Sequence, residues 1–291
     1  MKRLNRKTNE IFSPNNIKSG NYFLLLLKTF AMELSLKGKH ALVCGSTQGI
    51  GKAAAIALSQ LGASITLVAR NEEKLKQVLN ELSPNEKNDY ILADFTNASD
   101  LEQQIKSWTK KHTAHILINN TGGPKGGPIR NASTSEFTTA FTQHLICNHI
   151  LVQQLYPGMR EAGYGRIINV ISTSVKQPLD GLGVSNTVRG AVANWSKTLA
   201  NELGQFNITV NNVLPGATNT VRLQSIAENK AAQSTGIDYE EVMASMAAQS
   251  PMKRIAEPEE IANAIAFLAS PAASYINGIN VPVDGGRTKS L

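Results

Sequence analysis

Seven short runs of apolar, largely β-branched residues alternate along this chain with longer segments of helical periodicity. The apolar runs lie at 40–44, 64–69, 90–93, 115–118, 166–171, 208–213 and 278–283. The helical segments lie near 50–61, 72–82, 99–111, 136–161, 185–203 and 258–269. Strands that are hydrophobic on both faces and separated by helix-length segments indicate a parallel sheet covered on both sides. The alternation therefore predicts an α/β fold built on a doubly wound sheet of about seven strands, with its ligand at their carboxyl ends.

Residues 221–250 do not follow this alternation, because they fall between two predicted elements and are mostly helix-prone. A helical insertion near the strand ends can close over a substrate as a lid. A pair of surface helices is the alternative, and the sequence barely separates the two. We expect a single domain over residues 32–291 that carries this insertion, preceded by an extension over residues 1–31.

The basic character of the chain lies in its N-terminal extension. The formal net charge is +7, and residues 1–31 hold six basic residues against Glu10 alone. That segment carries +5 and leaves +2 for the body, which therefore has no concentrated basic face of the kind that binds nucleic acid. We expect the extension to be disordered, or translation to start at Met32 instead of Met1. Lys28 interrupts its apolar run and argues against a signal peptide.

Cysteine content and hydropathy restrict the compartment and the kind of site. Cys44 and Cys147 are too few for a disulfide framework, and neither has Cys or His neighbours at metal-ligand spacing, so we expect no metal site. A reducing, cytoplasmic location is the expectation. No apolar run approaches the ~18–20 residues that span a bilayer, which predicts no membrane partner.

A glycine-rich turn joins the first predicted strand to the first predicted helix. Its spacing is G-x-x-x-G-x-G, and glycine allows the backbone to turn sharply and approach a diphosphate beside the helix N-terminus. This context predicts a dinucleotide site in a Rossmann-type fold, although a purely structural turn is the alternative. The turn residues that we expect to contact the cofactor are Gly45, Ser46, Thr47, Gln48, Gly49, Ile50 and Gly51.

Arg70 follows the second strand, where a site that prefers NAD would place an acid for the ribose 2′-hydroxyl. An arginine can pair with a 2′-phosphate instead. NADP(H) is therefore the preferred cofactor, with NAD(H) as the second choice. The alternative is that Arg70 only covers a solvated strand end, and Gln48 adds no second positive charge.

Over residues 34–287 the chain resembles the short-chain dehydrogenase/reductase family. The resemblance rests on the glycine turn and on "ADF" 93–95, "NNTGG" 119–123, "GRIINVIS" 165–172, "LPG" 214–216, "PEEIANAIAFLAS" 258–270 and "VDGG" 283–286. It implies cofactor contacts at Asp94 and Phe95 for the adenine, Asn120 and Gly122 for the ribose, and Pro215, Gly216 and Thr220 for the nicotinamide. It also implies a homodimer or homotetramer built on the helices of 136–161 and 185–203.

Three stretches make the chain most similar to the 3-oxoacyl-acyl-carrier-protein reductase-like subgroup, whose members can lack the usual active residues. They are "GGPKGGP" 122–128, "SNTVR" 185–189 and the insertion 221–250. The resemblance implies reduction of a ketone or a 3-oxoacyl thioester, a reaction that belongs to fatty acid biosynthesis.

The family's active centre needs a serine, a tyrosine, a lysine and an asparagine, and this chain retains one of the four. Ser172 matches the serine, whereas Ser185, Arg189 and His144 stand at the other three positions. An aliphatic hydroxyl is a far weaker acid than a phenol, and an arginine stays charged but does not release a proton near pH 7. His144 could relay a proton, although a packing role is the more common one for such a histidine.

Two functions remain open at this point. The first is an NADP(H)-dependent reductase whose proton comes from water, His144 or the substrate, because the cofactor carries the hydride chemistry. The second is a catalytically impaired NAD(P)(H)-binding sensor or scaffold, which the substitutions at Ser185 and Arg189 favour.

Overall fold

The structure is a computed structural model that describes residues 32–85, 87–233, 236 and 238–290. The predicted extension over residues 1–31 lies outside the described residues. The strands are β1 (His40–Cys44), β2 (Ser64–Ala69), β3 (Asp89–Leu92), β4 (Ile116–Asn119), β5 (Gly165–Val170), β6 (Ile208–Pro215) and β7 (Asn280–Val283). The α-helices are α1 (Gly49–Gln60), α2 (Glu72–Glu81), α3 (Ala98–Trp108), α4 (Thr134–Phe141), α5 (Cys147–Glu161), α6 (Gly183–Leu203), α7 (Val221–Gln233), α8 (Tyr239–Ala248) and α9 (Pro258–Ala269).

The seven strands form one sheet in the order β3-β2-β1-β4-β5-β6-β7, and every neighbouring pair is parallel. Helices α1, α2 and α9 cover one face, and α3, α5 and α6 cover the other. Both faces of the central strands are therefore apolar, as in Ile116, Leu117 and Ile118, and each fully buried side chain of this kind stabilises the fold by about 1.5–3 kcal/mol. The predicted doubly wound, Rossmann-type sheet is confirmed.

The sequence predicts one helix over 136–161, but the observed helix starts earlier and is interrupted in its middle. Ser133 and Glu136 form a reciprocal capping box, so α4 begins two residues earlier than predicted. A π-helical segment over Thr142–Ile146 then separates α4 from α5. Such a segment inserts an extra residue into a helix and commonly lies at a functional site. Apolar periodicity could not locate it, because the apolar pattern continues through both helices.

A row of asparagines crosses the interior of the sheet. Asn119, Asn169, Asn212 and Asn280 are register partners on β4, β5, β6 and β7, and each donates or accepts an amide hydrogen bond of 2.8–3.0 Å to the next. Ser196 on α6 also accepts from Asn169 at 2.9 Å and donates to Asn212 at 2.8 Å. Because a buried amide is costly without partners, this row fixes the register of the strands beneath their carboxyl ends.

The insertion after β6 forms two helices, α7 and α8. Asp238 and Glu241 form the capping box that starts α8, and Val242 is its buried anchor. In the described part of the chain no helix is both long and apolar enough to cross a membrane.

Candidate active site

A cavity of about 630 Å³ opens at the carboxyl ends of β1 to β6, around the point where the strand order reverses between β1 and β4. This is where a doubly wound sheet binds its ligand. Sixteen of the nineteen residues predicted to form the site line this cavity. The other three are Ser46, Gly51 and His144, which lie behind its wall.

The glycine turn forms one wall and depends on the absence of side chains. Gly45 and Gly49 have φ values of +59° and +53°, a conformation that favours glycine. A Cβ on Gly45 would lie 2.5 Å from the carbonyl oxygen of Asn120, and one on Gly51 would collide with the carbonyl oxygen of Gly45. The buried Ser46 supports the turn from below. The chain therefore packs backbone against backbone here and leaves the cavity side open.

Helix α1 starts at this wall without a side-chain cap. Gln48 occupies the N-cap position but makes no capping hydrogen bond, and the first turn holds no acidic residue. By contrast α2 begins with Asn71, whose side chain accepts from the backbone N–H of Lys74. The first N–H groups of α1 and its positive dipole end are therefore available to an anion such as a diphosphate.

Arg70 lies at the outer edge of the cavity and is exposed. Its Nη1 is 3.9 Å from Asp94 Oδ2, which is too long for a hydrogen bond and leaves most of the guanidinium free to contact a ligand. Lys74, one turn into α2, lines the cavity beside it and adds a second positive charge. We name the turn Gly45–Gly51 with Arg70, Lys74 and Asp94 the nucleotide end of the cavity.

The opposite wall comes from the end of β5 and the start of α6. Ser172 follows β5, and its Oγ accepts a hydrogen bond from the backbone N–H of Ser174 at 3.1 Å. Ser185 and Arg189 project from successive turns of α6, and both line the cavity. Arg189 is 7% exposed, and its Nη1 donates to the carbonyl of Val170 at 3.1 Å.

Arg222, at the start of α7, also lines the cavity and lies close enough to Arg189 to lower the pKa of that guanidinium. Its Nη2 donates to the carbonyl of Pro124 at 2.5 Å. We name Ser172, Ser185, Arg189 and Arg222 the reaction end of the cavity.

His144 lies in the π-helical segment and is fully buried. Its Nδ1 shares a 2.5 Å hydrogen bond with Oγ1 of Thr121, which lines the cavity, while its Nε2 has no partner among the described residues. Burial, with Arg189 and Arg222 as further causes, lowers the pKa of His144 to about 2. The imidazole is therefore neutral near pH 7, one residue away from the cavity.

Sequence reasoning missed several residues that line the cavity. Lys74 is one turn beyond Arg70, Gln143 precedes His144, and Arg222 follows Thr220 by two residues. Thr220 itself contacts Gly49, since a Cβ there would lie 3.0 Å from Thr220 Cγ2. The only signal in the sequence was that these residues are close along the chain to predicted site residues. The fold is needed to show which of those neighbours face the cavity.

The described residues contain no group of three or more His, Cys, Asp or Glu side chains arranged to hold a metal ion. The charged side chains among those that line the cavity are Arg70, Lys74, Asp94, Arg189 and Arg222, a net positive set. The chemistry that this cavity can support is therefore the binding of an anionic ligand and the polarisation of an oxygen by hydroxyl and guanidinium donors.

Known reductases are similar to this chain over most of its length. Residues 45–288 match the model of a family described as enoyl-(acyl carrier protein) reductase. The chain is 32% identical over 259 residues to a chloroplastic tropinone reductase homolog of Arabidopsis thaliana, which covers 87% of this chain and 77% of that protein. It is 31% identical over 256 residues to the 3-oxoacyl-[acyl-carrier-protein] reductase FabG of Vibrio cholerae, covering 87% and 98%.

Among solved structures, L-sorbose reductase of Gluconobacter frateurii, complexed with NADPH and L-sorbose, superposes with a TM-score of 0.82 at 33% identity. The match covers 89% of this chain and all of that one. The parallel sheet, the glycine turn at its switch point and these matches across most of the chain agree: the protein belongs to the short-chain dehydrogenase/reductase family.

Proposed function

We propose that this protein is an NADP(H)-dependent oxidoreductase that reduces the carbonyl group of a ketone or a 3-oxoacyl thioester to a hydroxyl group. The observation that carries the proposal is that one cavity joins the nucleotide end, with its glycine turn, to Ser172 at the reaction end. NADPH in the related L-sorbose reductase and the activity named for the Vibrio cholerae relative support the cofactor and the substrate class.

The residues at the nucleotide end fit an NADP(H) molecule. The turn at Gly45 and the uncapped start of α1 suit the diphosphate, and Arg70 with Lys74 suits a 2′-phosphate. The adenine, ribose and nicotinamide contacts are proposed for the positions that the family resemblance implies, all of which line the cavity. When bound, the reduced nicotinamide supplies a hydride to the carbonyl carbon.

At the reaction end we assign the roles of the side chains from how readily each one donates a hydrogen bond or a proton. Ser172 donates a hydrogen bond to the carbonyl oxygen, and Arg189 holds the ribose or that oxygen. Burial and the charge of Arg222 lower the pKa of Arg189 to about 10, so this guanidinium remains protonated at neutral pH. Ser185 is too weak an acid to replace a phenol, and we assign the final proton to water in the cavity. A relay through His144 and Thr121 stays a prediction.

A second function is favoured by one observation, the aliphatic hydroxyl of Ser185 in place of a phenol. Without a general acid the chain could bind NAD(P)(H) as a sensor or scaffold, with the insertion over 221–250 responding to the dinucleotide. General acids typically contribute roughly 10²–10⁴-fold to a rate, so their loss impairs turnover without removing cofactor binding.

The test is NADPH binding by fluorescence titration, followed by NADPH oxidation with 3-oxoacyl thioesters and a panel of ketones. Ser172→Ala should reduce kcat by about 10²-fold and leave the Kd for NADPH unchanged, since it removes a donor to the developing oxyanion. Ser174→Ala is the matched control, because Ser174 is close in sequence but does not line the cavity.

Binding and turnover together support the reductase, and binding without turnover supports the sensor. If neither NADPH nor NADH binds, both functions are excluded.

We further propose a homodimer or homotetramer in the cytoplasm. The helices of 136–161 and 185–203 are rich in apolar residues, but six of these are buried within the single chain, namely Leu151, Val152, Leu155, Val188, Val192 and Leu199. They therefore give no support to an interface. The support left on these helices is Ile146, which is 46% exposed, together with the partly buried Phe141, Leu145 and Trp195. Size-exclusion chromatography with light scattering tests the oligomeric state.

A further inference from the structure

The three stretches that set this chain apart in sequence meet at the reaction end. The loop 122–128 and the segment before α6 form an isolated parallel bridge at Gly127 and Leu182, and the N–H of Gly183 donates to the carbonyl of Gly127 at 3.2 Å. The same loop accepts the hydrogen bond from Arg222 on α7 through Pro124. Residues far apart in the chain therefore assemble one wall, and Arg189 and Arg222 are its charged members.

These two guanidiniums lie close enough to affect each other, and neither has an acidic partner among the described residues. Burial and the charge of Arg222 lower the pKa of Arg189, and burial lowers the pKa of Arg222. The ion pairs between described residues join Lys52 to Glu81, Arg70 to Asp94, Lys76 to Glu72 and Glu73, and Arg254 to Glu260, so neither guanidinium takes part. Two like charges are thus held together at partial or full burial without compensation.

Arg166, which is also buried, shows what a purely structural guanidinium looks like in this protein. Arg166 is 1% exposed, donates to the carbonyls of Gly165 and Asn207 at 2.8 and 3.2 Å, and lies 4.1 Å from the centroid of the Tyr164 ring. Arg189 has one carbonyl partner, and so does Arg222, although each guanidinium carries five N–H donors. Both line the cavity, whereas Arg166 does not.

The anionic parts of a dinucleotide have their own partners elsewhere. The diphosphate fits the start of α1, and a 2′-phosphate fits Arg70 and Lys74, both at the nucleotide end. Ser172 and Ser185 lie instead at the end where Arg189 and Arg222 are found. The remaining neighbours at this end include Leu182, Val221 and Leu223, which bear no charge.

We propose that the substrate of this enzyme carries an anionic oxygen group, a carboxylate or a phosphate, that binds between Arg189 and Arg222 while Ser172 holds the carbonyl. Arg189 then serves this anionic group in place of the ribose or the carbonyl oxygen. The inference rests on the proposed function and narrows its substrate class to anionic carbonyl compounds. Arg222 is a specificity-determining residue, since it contacts the charged group and not the reacting carbonyl.

The experiment compares each anionic compound with its neutral counterpart. Acetoacetate is paired with methyl acetoacetate, 3-oxohexanoate with its methyl ester, and dihydroxyacetone phosphate with dihydroxyacetone. NADPH oxidation gives kcat/KM, and calorimetry gives the affinity of 3-hydroxybutyrate and its methyl ester for the enzyme with NADP⁺. Arg222→Met should lower kcat/KM for the preferred anion by about tenfold to a hundredfold and that for its neutral partner by less than about threefold. Arg222→Lys should restore part of the loss.

The matched control is Arg130→Met, which removes the same charge from an exposed residue that does not line the cavity. This variant should change kcat/KM neither for the anion nor for its neutral partner. The calorimetric titrations are repeated with the cofactor-free protein and the same acids and phosphates, so they remain decisive if no dinucleotide binds or no turnover occurs.

Preference for one anion over its neutral partner, lost in Arg222→Met and kept in Arg130→Met, supports the proposal. If the enzyme turns over or binds an anionic compound and its neutral counterpart equally well, the proposal is overturned, but the proposed reductase function is not. Failure of every anion to bind also overturns it. So does a tenfold loss of NADPH affinity in Arg222→Met with the anion preference retained, because Arg222 would then serve the cofactor.

Discussion

The nucleotide end and the reaction end of one cavity are built by different physical means. At the nucleotide end the ligand site is backbone, since Gly45 and Gly51 allow two chain segments to touch and α1 starts without a cap. At the reaction end the site is made of side chains, with Ser172, Ser185, the buried guanidinium of Arg189 and the half-buried one of Arg222. A backbone site tolerates few residues at its tight positions, whereas a side-chain site can change its chemistry by substitution.

The contrast explains how a chain can keep the family's fold while the side chains at its reaction end vary. Ser185 and Arg189 are side chains on α6, so substitutions at these two positions change neither the sheet nor the glycine turn. The two ends are therefore separable in experiments, and variants at one end should leave the other measurable.

The largest effect should come from Gly51→Val at the nucleotide end. Its Cβ would collide with the Gly45 carbonyl and lie 2.6 Å from Asn120 Nδ2. NADPH affinity should fall by at least about 100-fold and the free energy of unfolding by about 1–3 kcal/mol, measured by fluorescence titration and urea denaturation. Gly190→Ala is the control, because its Cβ meets no heavy atom within 4 Å and a helical alanine should add about 0.5–1 kcal/mol. Unchanged NADPH affinity in Gly51→Val would falsify the backbone role of the turn.

A gain of function should follow from giving the reaction end a phenol and an ammonium. The double variant Ser185→Tyr with Arg189→Lys should raise kcat for ketones by about 10²-fold, since a general acid contributes at least that much. Steady-state NADPH oxidation measures it. Thr187→Tyr, on the exposed part of the same helix, should give no increase. If the double variant binds NADPH but turns over no faster, the missing phenol is not what limits this protein.

A smaller effect is expected at Arg70, because it is exposed and partly screened by solvent. Arg70→Gln should reduce the preference for NADPH over NADH by about tenfold, through weaker NADPH binding and unchanged NADH binding. The two Kd values, measured at the same ionic strength, test this. Lys74→Gln should have a similar but weaker effect, and an unaltered preference in both variants would assign NADP(H) selectivity elsewhere.

The smallest predicted effect is on the stability of the fold and comes from the titration of His144. The folded-state pKa is lowered to about 2 from 6.5, so the folded chain binds fewer protons than the unfolded chain between these values. The free energy of unfolding should therefore fall with decreasing pH below 6.5, by about 1.4 kcal/mol per pH unit for this group.

His144→Asn should flatten that slope in urea denaturation curves between pH 6.5 and 4.5. His40, whose pKa is lowered to about 4 mainly by burial, retains its own contribution in the variant. A slope that does not change in His144→Asn would mean that this histidine is not held neutral by the fold.

The parallel sheet was predictable because each strand and helix carries its own local pattern. The runs at 40–44 and 64–69 match β1 and β2 residue for residue. The apparent strand at 278–283 is shorter in the structure, since β7 spans Asn280–Val283 at the sheet edge. Strand ends depend on which neighbours are there to pair, and that information is not local.

The candidate site was less accessible to sequence reasoning. The glycine turn could be found because tight backbone contacts require glycine at fixed spacing. Arg222 and Thr121 gave no such signal, because arginines and threonines occur on any surface. Their importance comes from contacts that exist only in the folded chain, since Thr121 shares a hydrogen bond with His144 and Arg222 lies close to Arg189.

The sequence by itself determined the order of strands and helices and the glycine turn, and it placed Ser185 and Arg189 on one helix. These are properties of short segments, set by periodicity, backbone sterics and residue chemistry. The tertiary structure alone decided that His144 is sealed behind Thr121, and that Arg189 and Arg222 share one wall where neither forms an ion pair with a carboxylate of the described residues. Burial and Coulomb interactions depend on distances through space, and three segments far apart in the chain must fold together before those distances exist.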